Sequence, residues 1–227
     1  METKYFSLAY ELNEGYKQLL LKNEAHYRAS LNSFSLISVS QEKPELGIPC
    51  KKNKYKLAEK FSESVSSDLS EIKNKPNSTL SKPEKKLQAW IINNAIQNNY
   101  KLPFDNDIKF ITSELAIPNK EGKKIVTDIL GYSESKKQLC VIELKSDRLL
   151  KRLIEQVNNF ENVIKENPEF FKKLLLIHGY SNTENISRSI LKIVVWPHEK
   201  TSPKKELKDL DILEFTYQDQ YSFIGFN

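Results

Sequence analysis

The sequence predicts an α/β protein: a mixed central β-sheet with helices on both faces, preceded by a small N-terminal accessory region. Three observations point there. Helix-like and strand-like patterns alternate from about residue 81 to 196. Residues 123–160 read as strand, turn, strand, helix. The run LCVIELK is apolar on both parities until its end, as in a central strand covered on both sides.

The chain has 227 residues, enough for one large domain or a medium domain with a small one. Charged residues make up 29% and hydrophobic ones 39%, the balance of a soluble globular protein. The net charge of +5 permits a phosphate-rich partner without demanding one. Cys50 and Cys140 make no disulfide framework or zinc spacing, and His26, His178 and His198 are isolated. There is no phosphate-binding glycine loop of either common type. No apolar run has the length of a membrane span, and METKYFSLAYELNEG lacks the apolar core of a signal peptide. The expectation is a cytoplasmic protein with no membrane partner.

Residues 1–75 form the expected accessory region, with mixed helix and strand cues. Ser35–Ser40 (SLISVS) is β-branched enough for a short strand, and Ala58–Ile72 has a helical pattern. Between them QEKPELGIPCKKNKY, with Pro and Gly, reads as a loop. Its basic cluster, Lys51 and Lys52 foremost with Lys54 and Lys56, is a candidate contact for a nucleic-acid backbone; a solvated loop is the plain alternative. NKPNSTLSKP (74–83) is the expected boundary, with the main domain at 79–227.

Ser81–Asn98 is expected to be a helix whose inner face carries Leu87, Trp90, Ile91 and Ala95. Ser81-Lys82-Pro83-Glu84 fits a capping box, which gives Glu84 a purely structural use. Asp107–Ile117 reads as a strand carrying Glu114, and PNKEG turns the chain into the next strand, 124–132. There Val126, Asp128, Leu130 and Tyr132 share one parity, and Ile125, Thr127 and Ile129 the other. SESKKQ is a turn. The strand 138–145 follows, with Leu139, Val141, Glu143 and Lys145 on one face. A helix capped by Ser146 or Asp147 then shows an apolar stripe, Leu149, Leu153, Val157, Phe160 and Ile164. Arg148, Arg152 and Gln156 lie four apart on a neighbouring line, holding two of the chain's four arginines.

Asp128 and Glu143 on adjacent strands can share one Mg²⁺ or Mn²⁺, since hard divalent cations prefer carboxylate oxygen. Lys145 points the same way, where an ammonium orients water or offsets phosphate charge. The plain alternative is a solvated strand end, with Glu143 and Lys145 paired at small energy.

Asp128, followed fifteen residues later by Glu143-Leu144-Lys145, resembles the PD-(D/E)xK signature of restriction-endonuclease-like nucleases, and the resemblance covers about residues 81–196. It implies a restriction-endonuclease-like core and a Mg²⁺- or Mn²⁺-dependent deoxyribonuclease, with Asp128 and Glu143 as metal ligands and Lys145 as the catalytic lysine. Glu84 matches the family's first-helix glutamate, a third metal-site acid, with Glu114 as its rival. Gln156 matches a glutamine after the ExK strand and is assigned to the catalytic group; Arg148 and Arg152 are assigned to the nucleic acid. Two positions depart from the pattern: Thr127 stands where a proline is common, and Phe160 where a QxxxY version carries tyrosine. The expected partner is DNA, with a homodimer left open. A non-cleaving nucleic-acid-binding or scaffold protein on the same fold is the alternative.

The rest of the chain is expected to complete the sheet. Lys173–Tyr180 (KLLLIHGY) reads as a strand parallel to the ExK strand, with His178 at its end as a minor candidate for the cleft. A helix from Asn182 or Thr183 to about Leu191 and a short strand, Ile193–Trp196, follow. DILEFTY and YSFIGF alternate like a closing hairpin on the sheet's edge.

Overall fold

Two hydrogen-bonded sheets organise the computed structural model, which describes residues 1–44, 46–51, 61–76, 82–146, 150–181, 186, 189–198, 207, 210–218 and 221–225. Of residues 150–152 and 224–225 only the backbone is described. The chain forms two compact units, Met1–Asn93 and Asn94–Asn227.

The first unit begins with helices α1 (Lys4–Gly15) and α2 (Lys17–Lys22). Strands β1 (Ala25–Ala29), β2 (Phe34–Ser38) and β3 (Gly47–Cys50) form an antiparallel sheet in chain order. Helix α3 (Phe61–Asn74) packs on β2 and β3, and α1 on β1. Strand β2 falls where the β-branched run placed it. Strand β3 overturns the expected loop at that point. Pro49 is exposed at the sheet's edge, where a missing N–H costs no ladder bond, while Ile48 and Cys50 point inward. The proline hid a four-residue alternation. Helix α4 (Pro83–Gln97) starts at proline, the preferred first helical residue, so Lys82 rather than Ser81 precedes it; Ser81 lies outside the described residues.

The second unit holds a curled seven-stranded mixed sheet flanked by helices. In chain order its elements are β4 (Lys101–Leu102), β5 (Asp105–Pro118), β6 (Lys124–Ser133), β7 (Gln138–Leu144), α5 (Leu150–Glu166), α6 (Pro168–Ile177), β8 (Ile190–Pro197), β9 (Ile212–Tyr217) and β10 (Phe223–Gly225). The spatial order is β10-β9-β8-β7-β6-β5-β4. β4 to β7 pair antiparallel, β7, β8 and β9 parallel, and β9 and β10 antiparallel. Phe104, beside the β4 edge, meets Phe215 of β9 at 4.9 Å and Phe223 of β10 at 5.4 Å, so the sheet's two ends curl together. Helix α5 packs on β6, β7 and β8 through Leu153, Val157, Phe160 and Ile164, all fully buried.

The parallel partner of β7 differs from expectation. Lys173–Tyr180 contributes no strand, since α6 runs through Ile177. Pro168 opens that helix, Glu169 sits in its first turn, and Phe170, Phe171, Leu174 and Leu175 are buried at helical spacing. The apolar run read alone hid a period that begins three residues before it, at Phe170. β8 takes the place beside β7, with Leu139 against Ile190 through Leu144 against Val195. It is longer than the expected Ile193–Trp196 and absorbs Ile190 and Leu191, which were expected to end a helix; 182–185 and 187–188 lie outside the described residues.

The turn between β6 and β7 is held by Asp107, which accepts hydrogen bonds from the Ser135 amide at 2.9 Å, the Ser135 hydroxyl at 2.8 Å and the Ser133 hydroxyl. This anchors the meander from which the acidic residues project. At Gly131 of β6 a Cβ would lie 2.8 Å from Ile108 Cγ2 and 3.1 Å from the Lys109 carbonyl oxygen, both on β5. Gly131→Ala is therefore expected to destabilise the fold by about 1–3 kcal/mol through overpacking. Urea unfolding followed by circular dichroism checks this, and an unshifted midpoint would show that β5 yields freely there.

Candidate active site

The site forms where a ladder ends. β6 and β7 pair from Ser133 against Gln138 to Ile129 against Ile142. One step further the register brings Asp128 opposite Glu143, and facing residues of antiparallel strands project to the same side. A side chain there replaces the backbone acceptor: the Leu144 amide donates to Asp128 Oδ2 at 2.8 Å. Thr127 sits where a proline is common in the resemblance. Its hydroxyl is buried and donates to the Ile129 carbonyl at 3.1 Å.

Glu143 is 1% exposed. β8 lies beside it, with Glu143 against Val194. Lys145 Nζ stands 3.3 Å from Glu143 Oε2 and 3.9 Å from Asp128 Oδ2. The Lys145 main chain is held by its amide to the Val195 carbonyl at 2.9 Å, and its own carbonyl accepts from the Tyr217 hydroxyl at 3.5 Å. One ammonium thus serves two carboxyls. Burial pushes the Glu143 carboxyl up to about 8; the Asp128 charge pushes the same way, and Lys145 opposes both. Glu143 Oε1 is buried and receives no hydrogen bond.

The structure therefore gathers Asp128, Glu143 and Lys145. It does not gather all the other candidates. Gln156, on α5, lines a cleft of about 310 Å³ with Lys123, Lys124, Val126, Glu155 and Asn159, and its buried Oε1 makes no hydrogen bond. Val126, which lines that cleft, stands two residues before Asp128 on β6. Glu84 is half-buried in the first turn of α4, within the first unit. Lys51 is exposed just after β3. Lys52, Arg148 and the Arg152 side chain lie outside the described residues. His178 does not end a strand, as expected, but caps the C-terminus of α6, and burial lowers its pKa to about 4, leaving it neutral.

The register adds one residue to the row. Ser113 pairs with Ile129 and Leu115 with Thr127, so the register sets Glu114 across from Asp128, at a φ of 50° that departs from regular strand geometry. The signal was in the hairpin. Once Pro118 pairs with Lys124, four residues back on one strand and four forward on the other bring Glu114 to Asp128. Among the described residues, no group of three or more His, Cys, Asp or Glu is close enough to hold a metal ion. Two neighbouring carboxylates, one of which keeps a buried oxygen without a hydrogen bond, still suit a hard divalent cation in donor type. No helix among the described residues is long and apolar enough to cross a membrane. No family model, curated protein or solved structure matches the chain.

The raised Glu143 pKa carries a sign. The folded protein holds this proton where the unfolded chain, with an ordinary carboxyl near 4.5, has released it. That contribution to stability is complete below about 4.5 and is lost as pH rises through about 8. In EDTA-treated protein, the melting temperature of the wild type is expected to fall from pH 5 to 9 relative to that of Glu143→Gln. Parallel curves would show that Glu143 titrates as an ordinary carboxyl.

Proposed function

We propose that this protein is a Mg²⁺- or Mn²⁺-dependent nuclease of the PD-(D/E)xK type, hydrolysing phosphodiester bonds in DNA. The observation that carries the reading is the opposition of Asp128 and Glu143 across β6 and β7, with Lys145 Nζ within 4 Å of both and Glu143 Oε1 buried without a donor. The strand–turn–strand–helix context that gives the short motif its weight accompanies it, with β6, β7 and α5 in that order.

Asp128 and Glu143 would hold the ion, with a main-chain carbonyl beside Glu143 as a further oxygen donor. Held there, such an ion would supply Lewis acidity toward water and a phosphoryl oxygen. This chain's residues do the rest. The Leu144 amide fixes Asp128 Oδ2, so one carboxylate is oriented before any ligand arrives. The carboxyls hold Lys145 Nζ beside the same point, where it orients the attacking water or offsets developing charge on the phosphate. Burial of Glu143 keeps water from screening the group. Gln156 and Arg152 are assigned to positioning the phosphate or the water.

Asp128→Asn and Lys145→Ala are each expected to lower cleavage at least about a hundredfold while leaving the fold intact. The assay uses Mn²⁺ with linear duplex, circular single-stranded and branched DNA, and circular dichroism checks folding. Full activity in either variant would overturn the mechanism. A wild type that neither cuts nor binds Mn²⁺ in calorimetry would replace it with a non-cleaving nucleic-acid-binding protein.

A further inference from the structure

We infer that the aromatic surface formed by β9, β10 and the turn between them stacks the unpaired bases of a single-stranded nucleic acid, which names the substrate class; the inference rests on the nuclease reading above. The pattern of β9 carries it first. Burial alternates through ILEFTY, with Ile212, Glu214 and Thr216 buried and Leu213, Phe215 and Tyr217 more exposed. A strand with one wet face ordinarily turns its polar residues to that face. β9 does the reverse: a glutamate and a threonine lie inside, while a leucine, a phenylalanine and a tyrosine lie on the outer parity. Leu213 is 37% exposed. Contiguous apolar surface turned outward marks an interaction site.

The rings are contiguous. Tyr217 meets Tyr221 of the β9–β10 turn at 5.7 Å and Phe223 of β10 at 6.4 Å, both edge-on. Phe104 backs them, 5.4 Å from Phe223 and 4.9 Å from Phe215. Each of these rings is half-buried, so part of its surface is open to a ligand. Tyr221 holds its ring at a φ of 55°, a backbone conformation that glycine or asparagine adopts at less cost.

Continuity with the proposed site selects the occupant. The Tyr217 hydroxyl donates to the Lys145 carbonyl at 3.5 Å, so the ring surface begins at the residue assigned to the scissile phosphate. The carboxyl ends of the parallel strands β7, β8 and β9 lie at this edge, with Pro197 against Tyr217 and the His198 amide on the Tyr217 carbonyl at 2.7 Å. A strand whose phosphate lies at Lys145 therefore carries its neighbouring bases over Tyr217. Aromatic side chains stack on the π-face of any base. In a duplex those faces are already stacked on one another, so the surface serves unpaired bases alone.

Fluorescence anisotropy in EDTA tests this on the full chain, with a short labelled DNA of mixed sequence, single-stranded or annealed to its complement. The proteins are the wild type, Tyr217→Leu, Tyr217→Phe and Tyr221→Asn. Asparagine tolerates a left-handed φ, so Tyr221→Asn keeps the test open if Tyr217→Leu folds poorly, and urea midpoints check both. The wild type is expected to hold the single strand more tightly than the duplex. Tyr217→Leu and Tyr221→Asn are each expected to lower single-strand affinity about fivefold to a hundredfold, and Tyr217→Phe to restore it. The slope of log affinity against log salt is expected to stay at its wild-type value, since stacking releases no counterions. If the leucine and asparagine variants hold the single strand as the wild type does, or the wild type prefers the duplex, the inference is overturned, while loss of cleavage in Asp128→Asn would still uphold the nuclease reading. If the wild type neither cuts nor binds Mn²⁺, the nuclease reading falls, and ring-dependent binding in EDTA would still uphold the stacking surface. A wild-type dimer in sedimentation that Tyr217→Leu dissociates would give the surface to a second copy and overturn the inference.

Discussion

The withdrawal of the Glu143 carboxyl from water at the end of β7 is the constraint on which the site depends. A carboxylate removed from solvent costs several kcal/mol unless charge and hydrogen bonds compensate it. Here compensation is incomplete by construction. Lys145 Nζ is shared between Glu143 and Asp128, and Asp128 already accepts from the Leu144 amide. The group carries one cation for two acids, and the deficit falls on the more deeply buried of the two. A proton removes it when nothing else does, hence the raised Glu143 pKa. On the proposed nuclease reading, a cation brought to the pair would compete with that proton, which would couple metal affinity to pH through a single side chain.

The rest of the second unit keeps that deficit from relaxing. β8 and β9 extend the sheet in parallel beyond β7, so Glu143 cannot swing out at an edge. Helix α5 seals β6 to β8 with a buried apolar stripe. Phe160 belongs to that stripe. It is fully buried and packs edge-on against Phe171 at 6.3 Å, so a tyrosine hydroxyl there would need a buried partner of its own. The departure from a QxxxY pattern is thus accounted for by the core between α5 and α6.

What was legible in the sequence divides along physical lines. Strands β6 and β7, their turn and the helix after them were legible because parity and helical period are local, and because charge appears abruptly at the end of an apolar strand. The pairing of Asp128 with Glu143 and Lys145 followed from that. Elements whose signal is shared between states were misread. The run KLLLI is equally good as a strand or as one turn of the buried face of α6, and only Phe170 and Phe171 before it break the tie. GIPC in β3 has its alternation masked by an edge proline. The place of Glu114 was not legible from strand assignment alone, since it depends on register, and register on which residues close the β5–β6 hairpin.

The row that crosses the sheet shows why residue type alone does not mark the site. Glu143 and Glu214 are both glutamates, both nearly buried, both at the level of Val194 and on the same face. Glu214 is met by the indole N–H of Trp196, a neutral donor on the adjacent strand, two residues beyond Val194. Such a pairing satisfies one oxygen without adding charge, and no second carboxylate faces it across a ladder. Each keeps one buried oxygen without a hydrogen bond, Oε1 in Glu143 and Oε2 in Glu214, but the residue facing Glu143 is another acid. Val194 stands between the two in the row. The facing acid and the shared ammonium, rather than an orphaned oxygen, therefore set Glu143 apart from Glu214.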